Sequence, residues 1–243
     1  MQLTDFRVLS FDCYGTLIDW ETGILEALAP LLDRADLHLT HDDILATFAR
    51  HEAAQQQAAP AMRYGELLAT VHRQLADEWQ IPASDDDHTR FAASIAHWPA
   101  FPDSAPALLY LKHHYRLVVL SNVDRASFAA SNQKLGEPFD AVYTAEAIGS
   151  YKPDPNNFHY LIKRLAACGY AQSQILHIAQ SLFHDHVPAK TIGLATAWID
   201  RRHGRSGWGA TMPPSETPLP DFRFPSLAAL ADAHQRARGH ALH

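Results

Sequence analysis

The sequence predicts an α/β protein whose parallel sheet is interrupted, straight after its first strand, by a block of helices. Three observations carry this reading. Val8-Leu9-Ser10-Phe11 is a short apolar run of the kind a strand buried on both faces requires, and Asp12, Gly15 and Thr16 follow it closely. Residues from about 19 to 98 show helical periodicity and N-cap signals without a strand pattern. From Pro102 onward, apolar strands and helices alternate again.

Taken in order, Ile24, Leu25, Leu28, Leu31 and Leu32 recur at helical spacing through Glu21 to Asp33. Thr40 followed by His41-Asp42-Asp43 reads as an N-cap with an acidic first turn, opening a helix through Ile44, Leu45 and Phe48 to about Gln57. Pro60 breaks it. Tyr64, Leu67, Leu68, Val71, Leu75 and Trp79 mark a third helix, and Ser84-Asp85-Asp86-Asp87 opens a fourth that ends before Trp98-Pro99. The expected division is a core domain of residues 1–18 and 99–243 and a helical cap domain of residues 19–98.

In the second part, a helix (Ala105 to His114) leads to the strand Leu117-Val118-Val119-Leu120, ending at Ser121-Asn122. A helix from Arg125 to Lys134 precedes a short strand, Phe139 to Tyr143. Gly149-Ser150-Tyr151-Lys152-Pro153-Asp154-Pro155 reads as a rigid loop opening a helix at Asn156, and Ile175-Leu176-His177-Ile178 as a strand ending at Ala179-Gln180-Ser181. A helix carrying Val187, Ala189 and Ile192 stops at Gly193, and Leu194 to Ile199 is a further core strand. A long loop, an edge strand at 221–224 and a final amphipathic helix complete the chain.

The bulk properties exclude several classes. At 243 residues, 47% hydrophobic and 19% charged, the chain can bury a full core. Its net charge of −7 argues against nucleic acid or an anionic membrane as partner. No apolar run has the length of a membrane span, and the polar start predicts no signal peptide. Two cysteines give no disulfide framework, so the expected location is the cytoplasm. The 16 histidines are scattered and show no zinc-ligand spacing.

Three strand ends carry polar residues that can converge on one edge of the sheet: Asp12, Ser121-Asn122, and Gln180-Ser181 with Asp185. Lys152 opens a helix between the last two. A carboxylate, a hydroxyl, an amide and a lysine on one sheet edge make a nucleophile with its anion cradle, although each alone has a plain structural reading as a cap or a solvated charge.

Together, and in this chain order, these residues resemble the haloacid dehalogenase superfamily. The resemblance spans nearly the whole chain and is most specific at Phe-Asp-x-Tyr-Gly-Thr-Leu. It implies a Rossmann-like sheet with the helical insert as a cap over Asp12. The superfamily's magnesium-dependent phosphatases carry an Asp two residues after the nucleophile, where this chain has Tyr14, and an acidic metal ligand after the fourth-motif strand, where it has Gln180. A neutral amide is a poor replacement for a carboxylate at a hard-cation site. The D-x-Y-G-T-L form instead resembles the L-2-haloacid dehalogenase branch, which needs no cofactor or metal.

By that resemblance Asp12 is a nucleophile that forms a covalent ester with a small carboxylic acid substrate. Lys152 neutralises it, Asp185 holds Lys152 and positions water, and Thr16 and Ser121 support the carboxylates. Asn122, Tyr14, Gln180 and Ser181 border the substrate, and Arg50 stands where the branch has its substrate-binding arginine. Trp20 and Trp79 are candidates for an aromatic wall over Asp12. A homodimer is a further expectation from the branch. The run Ser181 to His186, Trp20 and Trp98-Pro99-Ala100-Phe101-Pro102 resemble more closely the sub-branch that includes L-azetidine-2-carboxylate hydrolase. Its reaction opens a strained ring to a 2-amino-4-hydroxy acid, and the leaving amine needs a proton that halide does not. His184 and His186 are nearby, with capping or packing as their simpler reading. The cross-class alternatives are a magnesium phosphatase and a non-catalytic binding protein on the same fold.

Overall fold

Six strands, β1 (Val8–Phe11), β2 (Arg116–Ser121), β3 (Ala141–Thr144), β4 (Ile175–Ala179), β5 (Ala195–Ile199) and β6 (Phe222–Phe224), form one sheet in a computed structural model that describes residues 1–240. The order is β3-β2-β1-β4-β5-β6 and every neighbouring pair is parallel. This bears out the α/β, Rossmann-like expectation. It also places the reversal of strand order at β1, whose neighbours are β2 and β4. Ligands bind beyond the strand carboxyl ends at such a reversal, and Asp12 is the residue that follows β1.

Alternation along the strands builds two apolar layers. Leu9 and Phe11, Leu117 and Val119, and Leu176 and Ile178 belong to one cluster with Leu108, Leu111, Leu227 and Leu230. The last four come from α5 (Ser104–Lys112) and α10 (Leu227–His240), which pack on each other. On the opposite face Val8, Val118, Leu120 and Ile175 meet Phe158, Leu161, Leu165 and Ala189. Those residues lie on α8 (Asn156–Ala166) and α9 (Val187–Thr191). Burial on both faces is why β1, β2 and β4 read as unbroken apolar runs.

Between β1 and α5 the chain forms α1 (Trp20–Leu32), α2 (His41–Ala58), α3 (Tyr64–Glu78), α4 (Asp85–Ala93) and a 3₁₀ turn at Ser94–His97. The caps read from sequence are made. Thr40 Oγ1 accepts from Asp43 N at 3.2 Å while Asp43 accepts from Thr40 N at 3.0 Å, and Ser84 and Asp87 form the same reciprocal pair. The two linkers into and out of the insert run together: Asp19 N donates to Pro99 O and Phe101 N to Leu17 O. Tyr151 OH donates to Met62 O at 2.5 Å, and Gly65 N donates to Asp124 at 3.2 Å, so the α2–α3 turn is tied to the strand ends.

Two local details differ from the sequence reading. The helix after β4 begins as a π turn, Leu182–His186, before α9. Pro188 has no N–H to return to the carbonyl four residues back, so regular α-helical bonding cannot start earlier. Residues 145–148 form a short helix, α7 (Ala145–Ile148), capped by the Thr144 hydroxyl and closed by Gly149 at φ 85°. The connection from β2 to β3 runs through α6 (Arg125–Lys134), at the bounds read from sequence.

Gly23 on α1 is a packing constraint. A Cβ there would lie 2.3 Å from the Trp98 indole, which is itself fully buried. Gly23→Ala is expected to destabilise the protein by about 1–3 kcal/mol through overpacking. Urea unfolding will show this as a lower midpoint at an unchanged slope.

Candidate active site

Asp12 leaves β1 on a turn that only a small residue can close. Gly15 adopts φ 88°, and a Cβ at this position would meet the Trp20 indole nitrogen at 2.8 Å. The turn delivers Thr16 Oγ1 to Asp12 Oδ2 at 2.7 Å. Gln180 N, at the end of β4, donates to Thr16 Oγ1 at 2.9 Å, so the hydroxyl's own proton is free for Asp12.

Lys152 is clamped by its backbone. Asn122, just past β2, donates its amide to Lys152 O at 2.9 Å and accepts from Lys152 N at 2.7 Å. The ammonium then spends its three protons on Asp12 Oδ1 at 2.8 Å, Asp185 Oδ1 at 2.7 Å and Leu120 O at 2.9 Å. His177 on β4 donates from Nε2 to Asp185 Oδ1 at 2.8 Å, and its other nitrogen meets Ser10 Oγ at 3.2 Å. Lys152 and Asp185 are each 1% exposed and His177 is fully buried.

These contacts separate the two carboxylates. Burial penalises the charge on Asp185, but the Lys152 ammonium and the hydrogen-bonded His177 outweigh it and hold the acid well below the usual carboxylate range. Asp12 is raised, because burial and the neighbouring Asp185 charge exceed the pull of Lys152 and Thr16. Burial opposes the charge on Lys152, yet the two carboxylates raise it, so it stays an ammonium. Asp12 is therefore the more basic carboxylate of the pair. Asp185 Oδ2 is buried without a partner among the described residues and borders the cavity, where it can accept a proton from water.

Asp12, Lys152 and Asp185 line a narrow cavity of about 20 Å³, which restricts its occupants to small molecules. Asn122, Tyr14, Trp20 and Ser181 border it as the sequence expected. Tyr14 contributes its ring only: its hydroxyl bonds Ser131 Oγ at 2.9 Å and Ser127 O at 3.3 Å, and burial pushes the phenol well above its ordinary range. Ser121 is buried with its hydroxyl unpartnered among the described residues, and it does not line the cavity. Gln180 borders instead a larger open cleft beside α1, and it acts at the site through its backbone N–H.

Arg50 is corrected outright. Its guanidinium sits on the exposed side of α2 and pairs with Glu78 at 2.6 Å. The buried face of α2 is Ile44, Leu45, Phe48, Ala49, Glu52 and Gln56, and Arg50 is half a turn away from it. Trp79 is also no part of the wall; it caps α3 and packs, half-buried, on the insert's core. His186 bonds Ala179 O at 2.9 Å and lies fully buried, a structural role.

The insert supplies Glu52, Gln56 and Tyr64 to the cavity, none of which the sequence singled out. The signal was present: Glu52 and Gln56 continue the buried stripe of α2 at i+4 and i+8 from Phe48, where a polar side chain must be buried. Glu52 is 2% exposed and accepts from Tyr64 OH at 2.6 Å. Burial raises its carboxyl to about 7 against that hydrogen bond, with the Asp12 charge adding to the rise. His184 also lines the cavity; burial lowers its pKa to about 4, so it is neutral at pH 7.

The donor set does not fit a magnesium ion. Such a site needs carboxylates from both loops, and here Gln180 and the Tyr14 ring occupy those places while the Lys152 ammonium already neutralises Asp12 and Asp185. Among the described residues no group of three or more His, Cys, Asp or Glu could hold a metal ion.

The chain belongs to the haloacid dehalogenase-like hydrolase family, whose description matches residues 6–178. No curated protein matches it. Solved structures with the same fold include the L-2-haloacid dehalogenase PA0810, with 22% identity, TM-score 0.75 and coverage of 96% of this chain and 99% of that one. The defluorinating L-2-haloacid dehalogenase Rha0230 gives 24% identity, TM-score 0.72 and coverage of 95% and 97%. The L-2-haloacid dehalogenase from Xanthobacter autotrophicus with chloropropionic acid covalently bound gives 17% identity, TM-score 0.76 and coverage of 95% and 98%.

Two outcomes follow. Arg50→Ala is expected to leave turnover at the wild-type level, checked with whichever small acid the protein consumes. Glu52 holds its proton more tightly folded, at about 7, than at its ordinary 4.5. Its contribution to stability is complete below 4.5 and is lost as pH rises to 7 and above. Relative to wild type, Glu52→Gln should therefore gain up to about 3 kcal/mol across that window, read from unfolding at pH 4.5 and pH 8.

Proposed function

We propose that this protein is a metal-independent hydrolase that attacks a carbon of a small 2-substituted carboxylic acid with Asp12. The observation that carries the reading is the Lys152 ammonium bridging Asp12 and Asp185 in a narrow cavity with no magnesium donor set. An ionised carboxylate held by one lysine and one hydroxyl, facing a small cavity walled by Trp20 and Tyr14, is a nucleophile shielded from bulk water.

The chemistry has two stages. One Asp12 oxygen forms a C–O bond as the leaving group departs with the bonding pair, giving an aspartyl ester. Water held at Asp185 Oδ2 then adds to the Asp12 carbonyl carbon, which releases the alcohol and restores the carboxylate. Lys152 compensates charge on Asp12 throughout. The reading admits two substrate types, a 2-haloacid and azetidine-2-carboxylate. A magnesium phosphatase is disfavoured because the Tyr14 hydroxyl is committed to Ser131 and cannot protonate a leaving alcohol.

Turnover of L-2-chloropropionate, L-azetidine-2-carboxylate and p-nitrophenyl phosphate in EDTA, with Asp12→Asn beside each, tests the reading. Consumption of a small acid, abolished in the variant, is expected. In oxygen-18 water with enzyme in excess, the first alcohol formed should carry ordinary oxygen, because that atom comes from Asp12. Label in the first turnover would mean direct attack by water. Hydrolysis of the phosphate ester alone, restored only by magnesium, would overturn the proposal.

A further inference from the structure

We propose that Glu52, held by Tyr64, faces the nitrogen of a substrate whose leaving group is an amine and protonates that nitrogen as the carbon–nitrogen bond breaks. This rests on the aspartyl-ester reading above and assigns the leaving group within it.

The argument begins with what the cavity lacks. Arg50 points outward and pairs with Glu78, and among the described residues no guanidinium lines the cavity. The one cation that lines it among the described residues, Lys152, has all three protons committed to Asp12, Asp185 and Leu120 O. The same cavity holds a third carboxyl, Glu52, buried and bonded at one oxygen by Tyr64. A buried carboxyl without a cationic partner is either protonated or waits for a ligand that brings a positive N–H group. A halide leaving group satisfies neither state, since it carries no proton and needs none. A secondary ammonium ring nitrogen serves each in turn: it donates to the Glu52 carbonyl oxygen while the ring is intact and, once the bond has broken, accepts the Glu52 proton as a neutral amine.

The other candidate donors are spent. The Tyr14 hydroxyl is bonded to Ser131 and its pKa is raised, and Lys152 is held as an ammonium by two carboxylates. His184 is neutral at pH 7 and His186 is turned to Ala179 O. The Glu52 carboxyl, at about 7, is poised to give and take a proton near neutrality.

The balance closes over both stages. Asp12 attacks the ring methylene bonded to nitrogen, the C–N pair goes to nitrogen, and the ring ammonium becomes a neutral primary amine. Glu52 transfers its proton to that amine, leaving an ammonium and a Glu52 carboxylate. Water then cleaves the ester: its hydroxyl adds to the Asp12 carbonyl carbon, the alcohol oxygen leaves with one proton, and the remaining proton returns to Glu52. Both carboxyls end as they began.

Two measurements on the full chain test this. Glu52→Gln keeps the Tyr64 contact and the volume, and it is expected to lose about 100-fold or more in kcat for L-azetidine-2-carboxylate. In Asp12→Asn protein, which cannot form the ester, calorimetry should show L-azetidine-2-carboxylate bound about ten-fold or more tightly than cyclobutanecarboxylate, its carbon analogue. Adding Glu52→Leu, which removes the acceptor, should erase that preference, a readout that a merely structural role would not move. Wild-type kcat in Glu52→Gln, equal binding of the two acids by Asp12→Asn protein, or a preference that survives in the double variant overturns the proposal and leaves the aspartyl ester standing. A wild-type protein that frees chloride from L-2-chloropropionate but opens no azetidine ring overturns the nitrogen assignment. If it consumes neither acid, the parent reading fails with it.

Discussion

One buried ammonium holds the site together. Lys152 Nζ binds carboxylates from two different strand ends and the carbonyl of Leu120 from a third, so a single charge fixes how β1, β2 and β4 present their termini. Taking that charge out of water costs several kcal/mol, and only complete satisfaction of its three protons makes it tolerable. The second layer follows from the same need. Asn122 clamps the Lys152 backbone from both sides, and His177 with Ser10 anchors Asp185, so the ammonium has one low-energy position. His177 and Ser10 are consequently polar residues inside strands that are otherwise apolar.

That polar spine explains the asymmetry between the carboxylates. Asp185 receives a lysine and a histidine, while Asp12 shares the lysine and adds only a threonine. The better-solvated carboxylate becomes the weaker base and stays to hold the lysine and water. The less-solvated one keeps its nucleophilic character. The same ammonium thus leaves Asp12 the more basic of the two acids, the asymmetry that the proposed nucleophile requires.

The sheet and its polar edge were legible because their signals are local and periodic. Apolar runs buried on both faces, Gly15 at a positive φ and the Thr40 and Ser84 caps each follow from a few neighbouring residues. Asp12, Thr16, Lys152 and Asp185 were legible from chain order, since parallel strands bring their carboxyl ends together. The cavity roof was not, because it depends on which face of α2 turns inward. A resemblance carried Arg50 to that face, whereas Phe48, Glu52 and Gln56 define it, and a two-residue offset on a helix is a change of side. Trp79 fell outside the wall for a related reason: proximity to a helix end does not say which neighbour that end meets. The π turn at Leu182–His186 depends on the missing Pro188 N–H, a backbone detail that apolar spacing does not report.

The division of parts between sheet and insert also couples closure to chemistry. Asp12, Lys152 and Asp185 belong to the sheet's edge, whereas Glu52, Gln56, Tyr64 and Trp20 come from the insert. The carboxyl of Glu52 has its raised value of about 7 because the two parts together bury it and bring Asp12 near. Any movement that wets Glu52 returns it toward an ordinary glutamic acid, which is ionised at neutral pH. In the proposed reading the acid therefore depends on the same contact between sheet and insert that keeps water from Asp12. On the proposal above, an insert that supplies a carboxyl rather than an arginine does more than cover the sheet: it suits the site to an amine leaving group.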